Sequence, residues 1–171
     1  PWYQHEEVGY NYRMSNVIAG VVRGQYPHLE EHIAQKKAIY ERYKEGFKDL
    51  PVAMNPMPDD CQANYWLSCM TINKDAMCKQ VRSENEALYI KEKGKSCPTE
   101  ILEAITSINA EGRPIWKPMH IQPVFEKFDF IKVEEKPISE DIFARGVCLP
   151  SDTKMTKEEQ QEVIRIIKEL F

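Results

Sequence analysis

The chain has 171 residues, 42% of them hydrophobic and 29% charged, and carries a formal net charge of −4. This composition indicates a globular protein with a real core and argues against disorder. The mild acidity argues against a nucleic-acid-binding protein, and no apolar run reaches the roughly 18 residues that a membrane-spanning helix needs.

The N-terminal part is predicted to contain one long helix that is interrupted once. Residues 1–14 show no hydrophobic period and contain neither an initiating Met nor a signal segment, so we expect a processed chain or the later part of a longer protein. Ser15 or Asn16 can cap a helix that continues, past a kink at Pro27, to the region of Gly46. The apolar residues of this helix are Val17, Ile18, Val21, Val22, Leu29, Ile33, Tyr40, Tyr43 and Phe47.

The central part alternates turns, strands and helices. Three prolines predict a turn-rich connection over 51–60, and apolar residues on both faces predict a covered strand over 63–72. Residues 75–91 are mixed in character and are predicted as a helix. Pro98 opens a further helix, with Gly112 as its terminator.

The C-terminal part begins with an unusual segment. Residues 113–123 contain three prolines, which exclude a helix or a central strand, yet they are too rich in Trp, Met, His and Ile for a linker. The elements predicted after it are a short strand near Phe128–Val133, a helix capped by Ser139 that ends near Gly146, a buried strand over 147–150, and a final helix opened by a capping box, Thr156 to Glu159. Together the elements indicate the α+β class.

Cysteine, histidine and glycine patterns argue against three common kinds of site. The five cysteines form no Cys-x-x-Cys pair, so neither a zinc site nor a redox motif is indicated, and a cytoplasmic location is expected. Cys69 and Cys148 lie in apolar runs typical of core positions. His28 and His32 have no third ligand, so no metal is expected. Gly94-Lys95-Ser96 resembles the end of a phosphate loop, but Tyr89 occupies the position of its first glycine.

Asn11 and Arg13, just before the first predicted helix, form the first candidate site. A neutral amide, a forked guanidinium and a helix N-terminus can together bind an anion such as phosphate. The alternative is a capping turn in which Arg13 pairs with a surface carboxylate. Composition alone favours this alternative, because caps are common and sites are rare.

The segment 113–122 is the second candidate site. Arg113, Lys117 and His120 bring two permanent positive charges and one titratable ring near Trp116. This set suits a phosphorylated ligand with a flat ring, since the cations can hold phosphates and the indole can stack. The alternative, which composition supports equally, is a rigid proline-bounded loop that covers the core.

Three motifs, in this order and spacing, resemble the DegT/DnrJ/StrS family of sugar aminotransferases that depend on pyridoxal phosphate. The motifs are Gly9-Tyr-Asn-Tyr-Arg-Met-Ser-Asn16, Arg113-Pro-Ile-Trp-Lys-Pro-Met-His-Ile-Gln122 and Ala144-Arg-Gly-Val-Cys-Leu-Pro-Ser151. The resemblance covers nearly the whole chain. The proline-rich loop and Asn64-Tyr-Trp-Leu-Ser look most like members that act on nucleotide-linked keto sugars in bacterial surface-glycan pathways.

The resemblance implies the small C-terminal domain of a fold-type I aminotransferase. This domain is α+β, with a long kinked helix, a small and mostly antiparallel sheet, and flanking helices. Residues 1–27 would form the end of the large cofactor domain and the lead-in to the interdomain helix, and residues 28–171 the small domain. Family members work as homodimers, and we expect an exposed apolar surface from Val17 to Val22.

The resemblance also implies roles for the candidate residues. Asn11 would reach the cofactor phosphate of the partner subunit, with Arg13 supporting that region. His120 would face the sugar. The residues that would help to hold the nucleotide sugar are Arg113, Trp116 and Lys117. The implied reaction moves an amino group from an amino acid, glutamate as the expected donor, to a keto carbon of the sugar.

The family's Schiff-base lysine has no match in this chain, because it lies upstream of the motif that begins at Gly9. Transamination needs that lysine, so we expect no catalytic residue here, no covalently bound cofactor and no activity of the chain alone. The alternative hypothesis is a non-catalytic module that binds a nucleotide sugar or drives dimerisation. Neither nucleic acid nor a membrane is expected as a partner.

Overall fold

The structure is a computed structural model that describes residues 2–83, 86–133, 135 and 137–171. Within these ranges the helices are α1 (Asn16–Gln25), α2 (Leu29–Gly46), α3 (Pro98–Ser107), α4 (Ile138–Arg145) and α5 (Lys157–Lys168). The strands are β1 (Val52–Met54), β2 (Ser68–Ile72), β3 (Gln80–Arg82), β4 (Ala87–Tyr89), β5 (Arg113–Pro114) and β6 (Gly146–Leu149). Short 3₁₀ turns cover Tyr26–His28, Lys74–Ala76, Met119–Ile121 and Pro123–Phe125. The predicted α+β class, with a long kinked helix and a small antiparallel sheet, is confirmed.

The first two helices follow the prediction closely. Ser15 caps α1, because its Oγ accepts a hydrogen bond from the backbone N–H of Ile18 at 3.3 Å. Pro27 lies in the 3₁₀ turn that joins α1 to α2, as its missing N–H requires. No residue of α1 is buried, and the expected apolar surface from Val17 to Val22 is exposed.

The main sheet has four antiparallel strands in the order β1-β2-β6-β5. Cys69 of β2 lies opposite Cys148 of β6, and Met70 opposite Val147. Because side chains alternate along a strand, one face of the sheet carries Met70, Ile72, Val147 and Leu149 into the core. The opposite face carries the Cys69–Cys148 pair.

Helices α2, α3 and α5 cover the apolar face of the sheet. Their core side chains are Ile39, Tyr43, Ile101, Ile105, Val163, Ile164 and Ile167, with Phe47 just after α2. Tyr43 is fully buried and its hydroxyl donates to the Pro150 carbonyl at 2.8 Å, so its polar atom is satisfied. Burial raises the pKa of this phenol above its ordinary value.

The sulfur atoms of Cys69 and Cys148 are 3.5 Å apart, and both residues are free cysteines. The hydrogen bond between them lowers the pKa of the Cys69 thiol and raises that of Cys148. Cys148 is buried, as the apolar run around it predicts. Cys69 is only partly buried.

The helix predicted over 75–91 is wrong: the described residues of this segment form the β3–β4 hairpin after a 3₁₀ turn. Val81 pairs with Leu88 across the hairpin and both stay exposed, so no apolar face is available to hold a helix against the core. The hairpin also caps the C-terminal end of α4. Gln80 and Arg82 donate to the carbonyls of Ala144 and Phe143, at 2.9 and 2.7 Å, which are two of the terminal acceptors of that helix.

The predictions for 51–60 and 63–72 are correct only in part. Val52–Met54 pairs with β2, so the proline-rich connection contains a strand that local sequence concealed. The predicted strand over 63–72 begins only at Ser68, because Tyr65 has a φ of +52° and interrupts the extended backbone.

Three smaller predictions also fail. The described residues 128–133 form no strand, and Ile131 and Val133 are almost fully exposed. Helix α4 is confirmed, but it begins at Ile138 after Pro137, so Ser139 is inside the helix rather than its cap. Helix α3 ends before Gly112, because Asn109 adopts the left-handed conformation, with a φ of +58°.

Gly146, at the start of β6, occupies a position with no room for a side chain. A Cβ atom there would lie 2.5 Å from Cγ1 of Ile115 and 2.6 Å from the carbonyl oxygen of Ile142. The absence of a side chain therefore allows β6 to pass close to both α4 and the segment after β5.

The capping box of α5 is confirmed and gives a test of the fold. Thr156 Oγ1 accepts from the Glu159 N–H at 3.1 Å, and α5 buries four residues against the core. We expect Thr156→Ala to lower the free energy of unfolding by about 1 kcal/mol in urea denaturation.

The matched control is Ser15→Ala, which removes the cap of α1. Because α1 buries nothing, this variant should unfold within about 0.5 kcal/mol of the parent chain. Equal losses in the two variants would contradict the described packing.

Candidate functional site

The buried side chain of Gln122 joins two distant parts of the chain. Its Oε1 accepts from the His5 N–H at 2.9 Å, and its Nε2 donates to the carbonyls of Tyr3 and Lys117 at 3.0 and 3.1 Å. The Val124 N–H adds a further bond to the His5 carbonyl at 3.1 Å. The N-terminal segment 2–5 is thereby docked on the loop 113–125, which is ordered and irregular as predicted.

Docking of the N-terminal segment builds an aromatic row. The rings of Tyr3 and Trp116 stack with centroids 5.9 Å apart and planes within 16°. Trp66, which follows the left-handed residue Tyr65, lies 6.2 Å from Trp116 at an angle of 37°. All three rings of the row, Tyr3, Trp116 and Trp66, keep large exposed surfaces.

Two cations lie beside the N-terminal segment. Lys117 donates from Nζ to Gln4 Oε1 at 3.1 Å, and its ammonium lies 5.8 Å from the centroid of the Trp2 ring. The guanidinium of Arg82 lies over Phe143, 4.6 Å from the ring centroid. Burial lowers the pKa of Arg82, an effect that nearby Cys97 opposes. These cations and segment 2–5 pack as one unit.

His120 of the same loop is held by α4 and by Phe130. Its Nε2 lies 2.8 Å from Glu140 Oε1, and its ring stacks on Phe130 with centroids 3.8 Å apart. Glu140 belongs to α4, which is anchored because Arg145 pairs with Asp141 and donates to the Ile72 carbonyl. The imidazole is therefore fixed in position and in orientation.

The loop borders a small cleft of about 420 Å³. Its lining is mostly apolar, with His5, Lys117, Gln122 and Ser139 as the polar members; the other lining residues are Ile115, Trp116, Pro118, Met119 and Ile142. Such a mixture of an apolar wall and few polar groups is typical of a small-molecule site.

Arg113 lies elsewhere. It pairs with Glu111 and lines a second cleft, of about 670 Å³, between the sheet and the helices α2, α3 and α5. In that cleft Lys36 donates to the Ser151 carbonyl, and burial lowers the pKa of Lys36 while Asp152 opposes the shift. The structure thus brings Trp116 and Lys117 together, places His120 nearby on the loop, and separates Arg113 from them.

Asn11 and Arg13 lie on the exposed segment before α1. Tyr12 and Arg13 both have positive φ, at +34° and +74°, a conformation that non-glycine residues rarely adopt. Neither side chain contacts the loop 113–125 in the hydrogen bonds and ion pairs of the described residues. The first candidate site is therefore separate from the second within this chain.

Several residues that organise the site had no predicted role. Gln122 is the last residue of the motif 113–122. A buried amide must form hydrogen bonds, so an uncharged amide in an apolar, proline-rich loop could have been predicted to bond backbone groups. Trp66 belongs to the sequence Asn64-Tyr-Trp-Leu-Ser, from which no role for this side chain was predicted. Glu140 and Phe130 carry no local signal, because they meet His120 only through the fold.

The described ranges contain neither a metal-binding cluster nor a helix suited to a membrane. They contain no group of three or more His, Cys, Asp and Glu side chains arranged to hold a metal ion. Likewise, none of their helices has both the length and the apolar character needed to cross a bilayer.

Comparison with known proteins gives consistent matches along the whole chain. A protein of Bacillus subtilis, EpsN, which its name assigns to the pyridoxal phosphate-dependent aminotransferases, is 36% identical over 99% of this chain and 39% of its own length. GDP-perosamine synthase of Escherichia coli O157:H7 is 25% identical over 99% of this chain and 40% of its own length. The chain therefore spans about two fifths of the length of these relatives.

Solved structures show the same fold. The crystal structure of a DegT/DnrJ/EryC1/StrS aminotransferase from Brucella abortus matches 99% of this chain and 39% of its own, with a TM-score of 0.70 and 17% identity. The model of the DegT/DnrJ/EryC1/StrS aminotransferase family matches residues 1–168. The chain belongs to the DegT/DnrJ/EryC1/StrS aminotransferase family.

Proposed function

We propose that the chain is the C-terminal part of an aminotransferase that moves an amino group from an amino acid to a nucleotide-linked keto sugar. Glutamate is the proposed donor and surface-glycan biosynthesis the proposed setting. In this division of labour the chain supplies substrate contacts, while the part that corresponds to the other three fifths of the relatives' length supplies the Schiff-base lysine. The proposed active form is a homodimer.

The names of the relatives support the substrate class. By its name, GDP-perosamine synthase makes a sugar linked to GDP, and its match covers 99% of this chain. The name of EpsN, which includes pyridoxal phosphate, supports the proposed cofactor.

The observation that carries the proposal is the docked loop 113–125. The buried Gln122 amide fixes the backbone at Lys117, next to Trp116, and Glu140 holds the His120 ring. A flat ring, a cation and an imidazole on one rigid loop are the groups that a nucleotide sugar needs, and a rigid site binds with less entropy loss.

The residues of this chain fit one end of the cofactor. The Asn11 amide and the Arg13 guanidinium are exposed, their N–H groups can donate to phosphate oxygens, and the Ser15-capped end of α1 follows them. We propose that they bind the phosphate of pyridoxal phosphate in the partner subunit. When bound, that cofactor supplies the aldehyde that carries the amino group and a ring that acts as an electron sink.

The chain's own residues then bind and orient the sugar substrate. Lys117 attracts the diphosphate as a cation, and Trp116 offers an indole face to the base. His120, fixed by Glu140 and Phe130, presents its remaining ring nitrogen to the sugar as a hydrogen-bonding group. Apolar residues around the 420 Å³ cleft, such as Ile115 and Met119, exclude water.

A non-catalytic module that binds a nucleotide sugar or drives dimerisation is the second candidate function. The exposed apolar face of α1, with Val17, Ile18, Val21 and Val22 between 52% and 75% exposed, favours the dimerisation part of this alternative. This alternative predicts that the protein binds a nucleotide sugar or dimerises but does not transaminate, even when an upstream segment is present.

Activity separates the two candidates. We expect the full-length protein to convert glutamate and a nucleotide-linked keto sugar into 2-oxoglutarate and the amino sugar, because the upstream part supplies the lysine. The 171-residue chain should give no product in the same chromatographic assay. Turnover by the chain alone would refute the division of labour, and an inactive full-length protein would favour the non-catalytic module.

Binding tests the substrate contacts directly. We expect calorimetric titration of the chain with UDP-, GDP- and dTDP-linked hexoses to give saturable binding for at least one of them. Lys117→Ala should weaken that binding about tenfold through loss of one charge contact, and His120→Ala by a smaller factor. Lys93→Ala, an exposed lysine far along the chain from the loop, is the control and should bind as the parent does.

Gln122 tests whether docking of segment 2–5 matters. We expect Gln122→Leu to lower the free energy of unfolding by about 1–3 kcal/mol, because three backbone groups lose their partner. Hydrogen exchange should show faster exchange of the His5 amide. Gln161→Leu, an exposed change on α5, should have neither effect, and slow His5 exchange in the Gln122 variant would contradict the docking.

A further inference from the structure

Trp66 is an exposed indole that its own backbone holds in place. The ring is 65% exposed, although Trp is the largest side chain and gains most from burial. Asn64 Oδ1 accepts from the Trp66 N–H at 3.1 Å, and Tyr65, with φ at +52°, packs its ring 5.5 Å from Tyr40. The strained backbone of Tyr65, whose ring packs against Tyr40, therefore directs the Trp66 side chain towards solvent.

Trp66 extends the aromatic row beyond Trp116. Tyr3 stacks on Trp116 at 5.9 Å, and Trp66 lies 6.2 Å from Trp116 with the two planes tilted by 37°. Because both neighbours of Trp116 support it, the row is a rigid surface that ends in the open face of Trp66. We call these three rings, Tyr3, Trp116 and Trp66, the aromatic shelf.

A cleft of about 430 Å³ adjoins the open end of the shelf. Trp66 lines it together with Gln62 and Asn64, whose amides can donate and accept hydrogen bonds. Apolar contacts from Met57 and Leu67 complete its walls. A flat ring whose edge carries both donors and acceptors matches this combination, as a nucleobase does.

We propose that the base of the nucleotide-linked sugar stacks on the aromatic shelf with its edge towards Gln62 and Asn64, so that Trp66 is a specificity-determining residue. This inference rests on the proposed function and deepens it by naming where the nucleotide binds. An aliphatic chain is a poorer match, because it would displace water from the Gln62 amide and from the NH₂ group of Asn64 without replacing those hydrogen bonds.

Charge completes the match to a nucleotide. Lys117 directly follows Trp116 in the loop, and its ammonium lies on the side of the docked segment 2–5, near Gln4. Trp116, the ring that supports Trp66, and Lys117, the cation for the diphosphate, are therefore neighbouring residues of one loop. Stacking serves the base and the cation serves the phosphates, so the two contacts can be removed separately.

The experiment measures Kd by calorimetry for the 171-residue chain with UDP, GDP, dTDP and inorganic pyrophosphate as probes. Trp66→Ala should weaken the best-bound nucleoside diphosphate roughly tenfold to hundredfold, as expected for the loss of one stacking platform. Trp66→Phe should recover most of the affinity. Pyrophosphate, which has no base, should bind both variants as it binds the parent chain.

The control is Tyr26→Ala, which removes another exposed aromatic ring, in the turn between α1 and α2, that contacts none of the three rings of the shelf in the described ring contacts. Unchanged nucleotide affinity in Trp66→Ala, or an equal loss in Tyr26→Ala, would overturn the inference. If Lys117→Ala still weakens nucleotide-sugar binding in that case, the proposed function survives without the shelf. Absence of nucleoside diphosphate binding by the parent chain overturns the shelf, and absence of nucleotide-sugar binding as well overturns the proposed substrate class.

Discussion

The hydrogen bonds of one buried amide set the geometry of the candidate site. Gln122 bonds three backbone groups from two parts of the chain that are more than a hundred residues apart in sequence. A buried amide without partners costs more free energy than one formed hydrogen bond contributes, so the three bonds of Gln122 are expected to form or break together. With it in place, Tyr3 lies on Trp116 and Gln4 lies within reach of Lys117, so the aromatic row and the cation share one rigid support.

The same loop is tied to the core from its other side. Strand β5 pairs with β6, so the loop starts from the edge of the main sheet, while α4 supplies Glu140 to His120. Helix α4 is itself fixed by the hairpin β3–β4 and by the bond from Arg145 to the Ile72 carbonyl. The position of the imidazole therefore depends on the main sheet, on α4 and on the hairpin, which explains why an irregular loop can hold a defined orientation.

Local patterns predicted the parts of the fold that local energetics decide. The Thr156 capping box, the Ser15 cap and the buried strand at Gly146–Leu149 are each defined within a few residues. The β3–β4 hairpin was missed because its stability comes from strand pairing and from Arg82 reaching α4, and periodicity reports neither. At the site, the motifs located Trp116, Lys117 and His120 on one loop. The clamp by Gln122, the contact with Glu140 and the outward turn of Trp66 needed the three-dimensional structure, since each joins residues that sequence spacing keeps apart.

The close passage at Gly146 has a practical meaning for engineering this fold. Because a Cβ atom on Gly146 would collide with Ile115 and with the backbone carbonyl of Ile142, the approach of β6 to α4 and to the residue after β5 depends on a missing methyl group. Ile115 and Ile142 also line the 420 Å³ cleft, together with Met119 of the loop. A library intended to alter ligand preference can therefore vary the exposed side chain of Met119, whereas even alanine at position 146 would shift two residues of the cleft wall through the backbone.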